Sequence, residues 1–544
     1  MAGYVSRILG TSISGLNAQQ AKIAATANNI ANVNTEGYVK RDVDLSVRES
    51  SDINGLQVGG GVDVSGLIRQ TNEYLEKMLR EAKGDYQSNK IQDEYLDRIQ
   101  SIFSLGDDSI TTIGSALNDF FTAAGDLAVN PSSIELRANL IAKADSLCAV
   151  LESGYNTMST LQNECDQRIT TELVTINSLT SQIAEMNVTI VNCESTGEIA
   201  ADARDKRSAL LEKLSEKISI SVVEDSTGAI NVSLGNGFPL IAGGTARELR
   251  ATTNVGPGTE PRSLDGGSLN YIVYDYTDGL GTEVINLTDL IAKGDGTLGG
   301  LLKIRGVYAT EDASADSAFK GEGTLVEYAS RIEAITRSLL TDINTTYLGL
   351  NSIGNPTSAD LDGNIPGPFG LFTFDGATDV DGDGVVTTTD LDTLMQNNNY
   401  GSFSRFIRSA VDDPSKVAAA RADDPEAGTL TFSKGNGENM QALVGEQLKN
   451  RSFSVGNFSC TNTSYGAAYD ELVSRVGNAK SASLINVNVA SGNLTTTQNQ
   501  RDEQSAVSLD EEFVGLIRYQ RAYQASARLL NIADTLLSEV LNVL

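Results

Sequence analysis

The chain has 544 residues, of which 40% are hydrophobic, with 41 Lys and Arg against 71 Asp and Glu, a formal net charge of −30 and no His. That length leaves room for several domains and that apolar fraction supports ordinary packed cores. The acidic balance disfavours nucleic acid and anionic membranes as partners, and the lack of His excludes a Ser-His-Asp or Cys-His catalytic site and a His-ligated zinc centre.

The first predicted element is an amphipathic helix. Leu9, Ile13, Leu16, Gln20, Ile23, Ala27 and Ile30 recur at steps of four and three, which places them along one stripe with a heptad period. Met1 to Gln20 lacks the basic start and apolar run of a secretory signal peptide. No apolar stretch approaches the roughly 18 residues of a membrane span, so no membrane insertion is expected.

From Thr71 to Leu214 the pattern is mostly helical, with apolar residues three and four apart, as in Leu173, Ile176, Leu179, Ile183 and Met186. Breaks are expected at Gly106 to Ser109 and at Asn130 to Ser133, the latter with Pro131 near the start of a new helix. Several long helices in sequence predict a bundle. At Ile218 the period changes to two: Ile218, Ile220 and Val222 alternate with Ser, Gly228 turns the chain into INVSL, and GNG at 235 to 237 turns it again. A β domain is expected to about Arg305. Helical spacing returns in Leu325, Ala329, Ile332, Thr336, Leu339 and Ile343, followed by a Gly-rich segment from 350 to about 437 that reads as short of core-forming residues. GENMQALVGEQLKN and Ala467 to Ala490 then read as helices.

The last predicted helix repeats the first. Leu509, Phe513, Leu516, Gln520, Tyr523, Ala527, Leu530, Asp534, Leu537, Leu541 and Leu544 hold register for about 36 residues, roughly 54 Å of helix. A seam running to the last residue needs the other terminus, another molecule, or both as its partner. The polar seam residues Gln20, Gln520 and Asp534 fix register at some cost in stability. Leu9, Ile13, Leu16, Ile23 and Ile30 are expected to pack with Phe513, Leu516, Tyr523, Leu530, Leu537 and Leu541, and with neighbouring subunits.

Residues 379 to 390 read DVDGDGVVTTTD. Asp379, Asp381 and Asp383 stand at positions one, three and five of a calcium loop, Gly384 at six, the Val385 carbonyl at seven, Thr387 at nine and Asp390 at twelve. Ca²⁺ needs about six or seven oxygens, and this spacing wraps carboxylates around one point while the Gly permits the sharp turn. LDTLM can start the exiting helix, so the stretch resembles the loop of dockerin repeats more than a full EF-hand pair. Ca²⁺ is the expected structural cofactor, ordering the segment around it. Cys148, Cys165, Cys193 and Cys460 show no metal-binding spacing and predict four thiols without disulfides. There is no GxxxxGK loop, and 71 acidic residues supply carboxylate pairs by chance, so no enzymatic role is expected.

Ala27 to Tyr38 reads ANNIANVNTEGY and resembles the N-terminal signature shared by the rod, hook and hook-associated proteins of the bacterial flagellum. The tail from Ser508 to Leu544, beginning SLDEEFVGLIRYQRAYQASARLL, is similar to the C-terminal signature of the hook-associated members. Further likenesses lie in FFTAAGDLAVNPSSIELR (Phe120 to Arg137), INSLTSQIAEMN (Ile176 to Asn187), and ADARDKRSALLEKLSEKISISVVED followed by INVSLGNGFPLI. The chain departs from the family at Ser505 to Ser508, where Ser-Gly-Val-Asn would be expected, and at Thr346 and Tyr347, near where a His is common. The calcium loop is an addition.

The resemblance implies a multidomain, mainly α fold with β. Residues 1–45 and 500–544 would form a paired terminal coiled coil, and 46–217, 306–350 and 438–499 a helical stalk. Residues 218–305 would form a β-rich domain and 351–437 an outer insertion with the calcium loop. It further implies a structural junction protein that polymerises at the distal end of the hook and adapts it to the filament. Its partners would be copies of itself in a tube, the hook protein, the next hook-associated protein, filament subunits and an export chaperone. Its location would be extracellular, reached by the flagellar type III pathway without a cleaved signal. The alternatives are a hook or distal-rod protein and, in another class, a secreted calcium-dependent adhesin or glycan-binding protein.

Overall fold

The computed structural model describes the chain except residues 1, 36, 50, 54–55, 104–110, 196–198, 236, 254–261, 279–280, 309–316, 353, 368, 381, 383–385, 399–401, 426–429 and 544, and except the side chains of 2–4, 51–53, 56–58, 277–278, 281–282, 388, 395–398 and 540–543. The architecture is mainly α with several small sheets. It divides into two compact units, one made of Met1–Tyr86, Thr175–Glu248 and Ala490–Leu544, the other of Gln87–Val174 and Leu249–Val489. Three long helices, Glu73–Ile102, Ile134–Glu194 and Tyr465–Ser505, contribute residues to both.

In the first unit the helix Ala2–Ala31 lies against the helix Leu509–Val543. Between Arg41–Val47 and Val62–Arg69 runs an antiparallel ribbon whose register shifts between Asp44 and Leu45. The sequence reading assigned no strands here. The helix Ala201–Lys217 leads into a four-stranded antiparallel sheet of consecutive strands, Ile220–Glu224, Ile230–Leu234, Pro239–Ala242 and Thr245–Ala246. Ile230, Val232 and Leu234 are buried, as a period of two requires. The fully buried Asn187 ties the long helix to this sheet, donating to the carbonyls of Ile230 (2.8 Å) and Gly243 (2.7 Å).

The second unit is built on aromatic packing. The helix Ile113–Val129 starts with a capping box between Thr112 and Ser115 and buries Phe120, Phe121 and Leu127. It ends at the expected break, and the next helix begins at Ile134. The helix Thr324–Ser338 passes through a π turn, Leu339–Ile343, into Asn344–Leu348, and most of its side chains are buried. The strands read as one β domain over 218–305 fall in two sheets: the four-stranded one above, and a second in this unit ordered Gly281–Asn286, Tyr271–Asp278, Arg250–Thr252.

The Gly-rich segment after residue 350 does have a core. Leu371, Phe372, Phe374, Phe403, Leu391 and the run Val417 to Ala420 are all buried. Phe120 meets Phe372 at 5.4 Å between ring centres, and Phe374 meets Phe403 at 4.7 Å. Sequence missed this because the aromatic residues sit in a three-residue strand, Phe372–Phe374, and in turns, and are packed by long-range contacts. The segment is also pinned by two buried polar side chains. Glu333, with no exposure, accepts from the Ser402 and Ser404 hydroxyls and from the Phe403 and Ser404 amides. Asn344 accepts from the Leu371 and Phe372 amides and donates to the Phe372 carbonyl at 2.7 Å.

Candidate assembly interface

The two terminal helices meet through small side chains. On the first helix Val5, Ser12, Ala18, Ala25, Thr26 and Asn29 are buried, and on the last helix Glu512 and Ala533. A Cβ placed on Gly15 would stand 3.3 Å from the Ser526 hydroxyl, so the helices approach closely where both residues are small. Lys22 lies over the Tyr519 ring at 5.4 Å.

Asn29, within the ANNIAN motif, is the joint of this pair. Its amide nitrogen donates to the Arg41 carbonyl (2.9 Å) and to the Glu512 carboxylate (3.1 Å). Its carbonyl oxygen accepts from the Arg41 amide (3.1 Å) and the Tyr38 hydroxyl (2.9 Å). Lys40 adds ion pairs to Glu511 (3.1 Å) and Glu512 (3.2 Å), and its amide bonds the Ser505 carbonyl (2.9 Å). Burial alone would lower the Lys40 ammonium, but the two carboxylates outweigh it and raise the pKa. The first turn of the last helix is thereby tied to residues 29–41.

The large apolar residues of the predicted seam are not fully buried within the chain. Ile13 is 43% exposed, Phe513 49% and Tyr523 40%. Leu9, Leu16, Ile23, Ile30, Leu516, Leu530 and Leu537 are only partly covered, and the Leu541 side chain lies outside the described residues. Ile8, Val514, Ile517, Leu529, Ile532 and Leu536 are exposed as well. Much of the seam read from large side chains is thus left uncovered within the chain. Small residues allow a closer approach, and the bulky ones are left on the outside.

The segment 379–390, read from sequence as a calcium loop, is described in part, with Asp381, Asp383, Gly384 and Val385 outside the described residues. Asp390, 2% exposed, accepts from the Val380 amide (3.1 Å), the Thr387 amide (2.8 Å) and the Thr387 hydroxyl (2.7 Å). Asp379 accepts from the Gly382 amide at 2.8 Å. The exiting helix is present at Thr388–Asn398. The carboxylates at positions one and twelve therefore each accept from loop backbone amides, and Asp390 Oδ2 accepts both Thr387 bonds.

Residues 96–361 match the model of the flagellar hook-associated protein FlgK helical domain. Residues 9–38 match that of the flagella basal body rod protein, and 498–543 that of the flagellar basal body rod FlgEFG protein C-terminal region. The chain is 26% identical to flagellar hook-associated protein 1 of Escherichia coli, over 99% of this chain and 100% of that one. The chain belongs to the flagellar hook-associated protein 1 family. It is also 27% identical to the Salmonella typhimurium protein of that name, covering 99% and 100%, and 25% identical to that of Bacillus subtilis, covering 98% and 97%. Its fold is similar to the flagellar hook junction protein FlgK from Burkholderia pseudomallei, with a TM-score of 0.58 at 16% identity, covering 79% of this chain and 100% of that one.

Sequence reasoning missed Asn29, Lys40 and Glu512 as partners and the small-residue face around Gly15 and Ala18. A signal was present, since Gly15, Ala18, Lys22, Ala25 and Asn29 also step by three and four.

Proposed function

We propose that the chain is a structural junction piece of the bacterial flagellum, polymerising at the distal end of the hook and adapting it to the filament. The observation that carries this reading is the terminal pair, closed internally by small residues and apolar on its outside. A helix that is apolar on most sides is stable only when covered, and covering each large side chain contributes about 1.5–3 kcal/mol. Copies of the chain, side by side as the wall of a tube, provide that cover. The hook protein then lies on one side of the ring, and the next hook-associated protein and filament subunits on the other.

Export by the flagellar type III pathway to the outside of the cell, with a chaperone shielding the apolar ends, completes the reading. Among the described residues no helix is long and apolar enough to cross a membrane. The role is structural rather than catalytic. A strain lacking the chain is expected to keep its hooks and lose attached filaments. Filaments that stay attached overturn the reading, and loss of the hooks too would favour a hook or rod role.

The loop at 379–390 is proposed to hold Ca²⁺ through Asp379, Asp381, Asp383, the Val385 carbonyl, Thr387 and Asp390. The ligand spacing and the burial of Asp390 support it. Because Phe372, Phe374 and Phe403 already give the segment a core, the expected effect of the metal is local. Calorimetry in millimolar Ca²⁺ against EDTA is expected to move one transition upward; no shift in any transition refutes the site.

A further inference from the structure

The first unit holds a cavity of about 390 Å³ between the start of the helix Glu73–Ile102, the helix Ala201–Lys217 and the sheet that follows. Its floor is apolar, formed by Leu211, Val222 and Ile230. Five cations line it, Arg69, Lys77, Arg80, Arg204 and Arg207, against three carboxylates, Glu73, Glu76 and Glu224. In a chain of net charge −30 this is a local reversal of sign.

The cations are unequally satisfied. Arg69 pairs with Asp205 at 2.7 Å, and Arg204 with Glu194 at 2.6 Å. Glu224 is shared, 2.8 Å from Arg204 and 3.2 Å from Arg207. Arg80 makes no hydrogen bond or ion pair within 4 Å among the described residues; Glu76, Glu81 and Glu212 act on it only at longer range. Burial lowers the pKa of Arg80, and it lowers that of Arg207 to about 10, with Arg204 and Arg69 adding repulsion there. Charge is gathered in a partly desolvated place without full compensation. On the rim Tyr74 is 67% exposed, in a chain with only 6% aromatic residues.

We propose that this cavity receives a carboxylate side chain of a second copy of the chain, with Arg80 as the receiving guanidinium and Tyr74 packing beside it. Arg and Tyr are the residue types that most often anchor protein interfaces, and a guanidinium fork matches a carboxylate in a paired geometry. The occupant follows from charge complementarity. The outside of a second copy, with 71 acidic residues, is rich in carboxylates, and self-association is the first thing the junction role requires. The inference rests on that role and adds the contact that would set register between copies.

The test is the concentration dependence of assembly of the full chain, followed by sedimentation velocity at low and high salt. Arg80→Glu is expected to raise the concentration needed for assembly by about tenfold or more, and to lose the weakening by salt that the unaltered chain shows. Arg80→Gln, which keeps the length without the charge, is expected to fall between, and circular dichroism checks that both variants fold. Arg250→Glu, a reversal on an exposed pair with Asp275 in the other unit, is expected to leave assembly unchanged. Equal effects of Arg80→Glu and Arg250→Glu would trace the change to bulk charge and overturn the site. Assembly with Arg80→Glu as good as the unaltered chain overturns it as well. A chain that stays monomeric without any substitution would instead sink the self-association on which the inference rests.

Discussion

The aromatic unit and the terminal helix pair reach stability by opposite routes. In the former, Phe120, Phe121, Tyr155, Tyr347, Phe372 and Tyr465 have almost no exposure, and buried polar groups such as Glu333 are ringed by donors. In the latter, the contact is made by Ser, Gly and Ala, while Ile13, Phe513, Ile517 and Leu529 face out. One region has its core inside a single chain. The other leaves much of its apolar surface uncovered, as expected of a surface that other molecules complete.

The sharpest way to break this contrast is to make the outward face polar. Ile13→Asp combined with Phe513→Asp is expected to weaken self-association about a thousandfold, two anchor positions each carrying about 2 kcal/mol. The melting temperature of the dilute monomer should fall only slightly, since both side chains are already about half exposed. A large fall in monomer stability would mean that these residues belong to an internal core.

Glu333→Ala probes the opposite region. It strands two hydroxyls, two amides and the Arg337 guanidinium 3.1 Å away, and should cost about 3–5 kcal/mol in denaturant unfolding. A loss below about 1 kcal/mol would show that the insertion is not held by this carboxylate.

Asn29→Ala removes the joint between the terminal helices and leaves the Arg41 amide and the Glu512 carboxylate short of a partner. The expected cost is about 1–3 kcal/mol, read as faster proteolysis at residues 1–40 and 505–544 with no change in the aromatic unit. The smallest effect is chemical. Burial holds the Cys148 thiol well above its ordinary value and pushes Cys165 up to about 12, while Cys193 is exposed. A thiol reagent on the native chain should therefore modify Cys193 quickly and reach Cys148 and Cys165 only after unfolding.

The helices were legible because their periodicity is enforced by burial: Leu173, Ile176, Leu179 and Ile183, picked out from spacing alone, are all buried. The part played by small residues in the terminal contact was not legible. Hydropathy weights Leu, Ile and Phe, whereas two helices touch most closely where the side chains are smallest. The ribbon at Arg41–Val47 and Val62–Arg69 was missed although Val43, Leu45 and Val47 alternate with polar residues, because strand pairing across an intervening segment leaves little local trace. The core after residue 350 escaped notice for a related reason, since Phe372 finds Phe120 some 250 positions away.

The reach of Asn29 to Glu512, 483 positions along the chain, has a consequence for quality control. Nearly the whole polypeptide must exist before its opening helix can be locked. A copy clipped anywhere ahead of Glu512 keeps the signature motif but lacks the acceptor that completes the latch. Such a fragment would compete poorly for a place in any array built on this joint, so one hydrogen bond works as a length check on each incoming molecule.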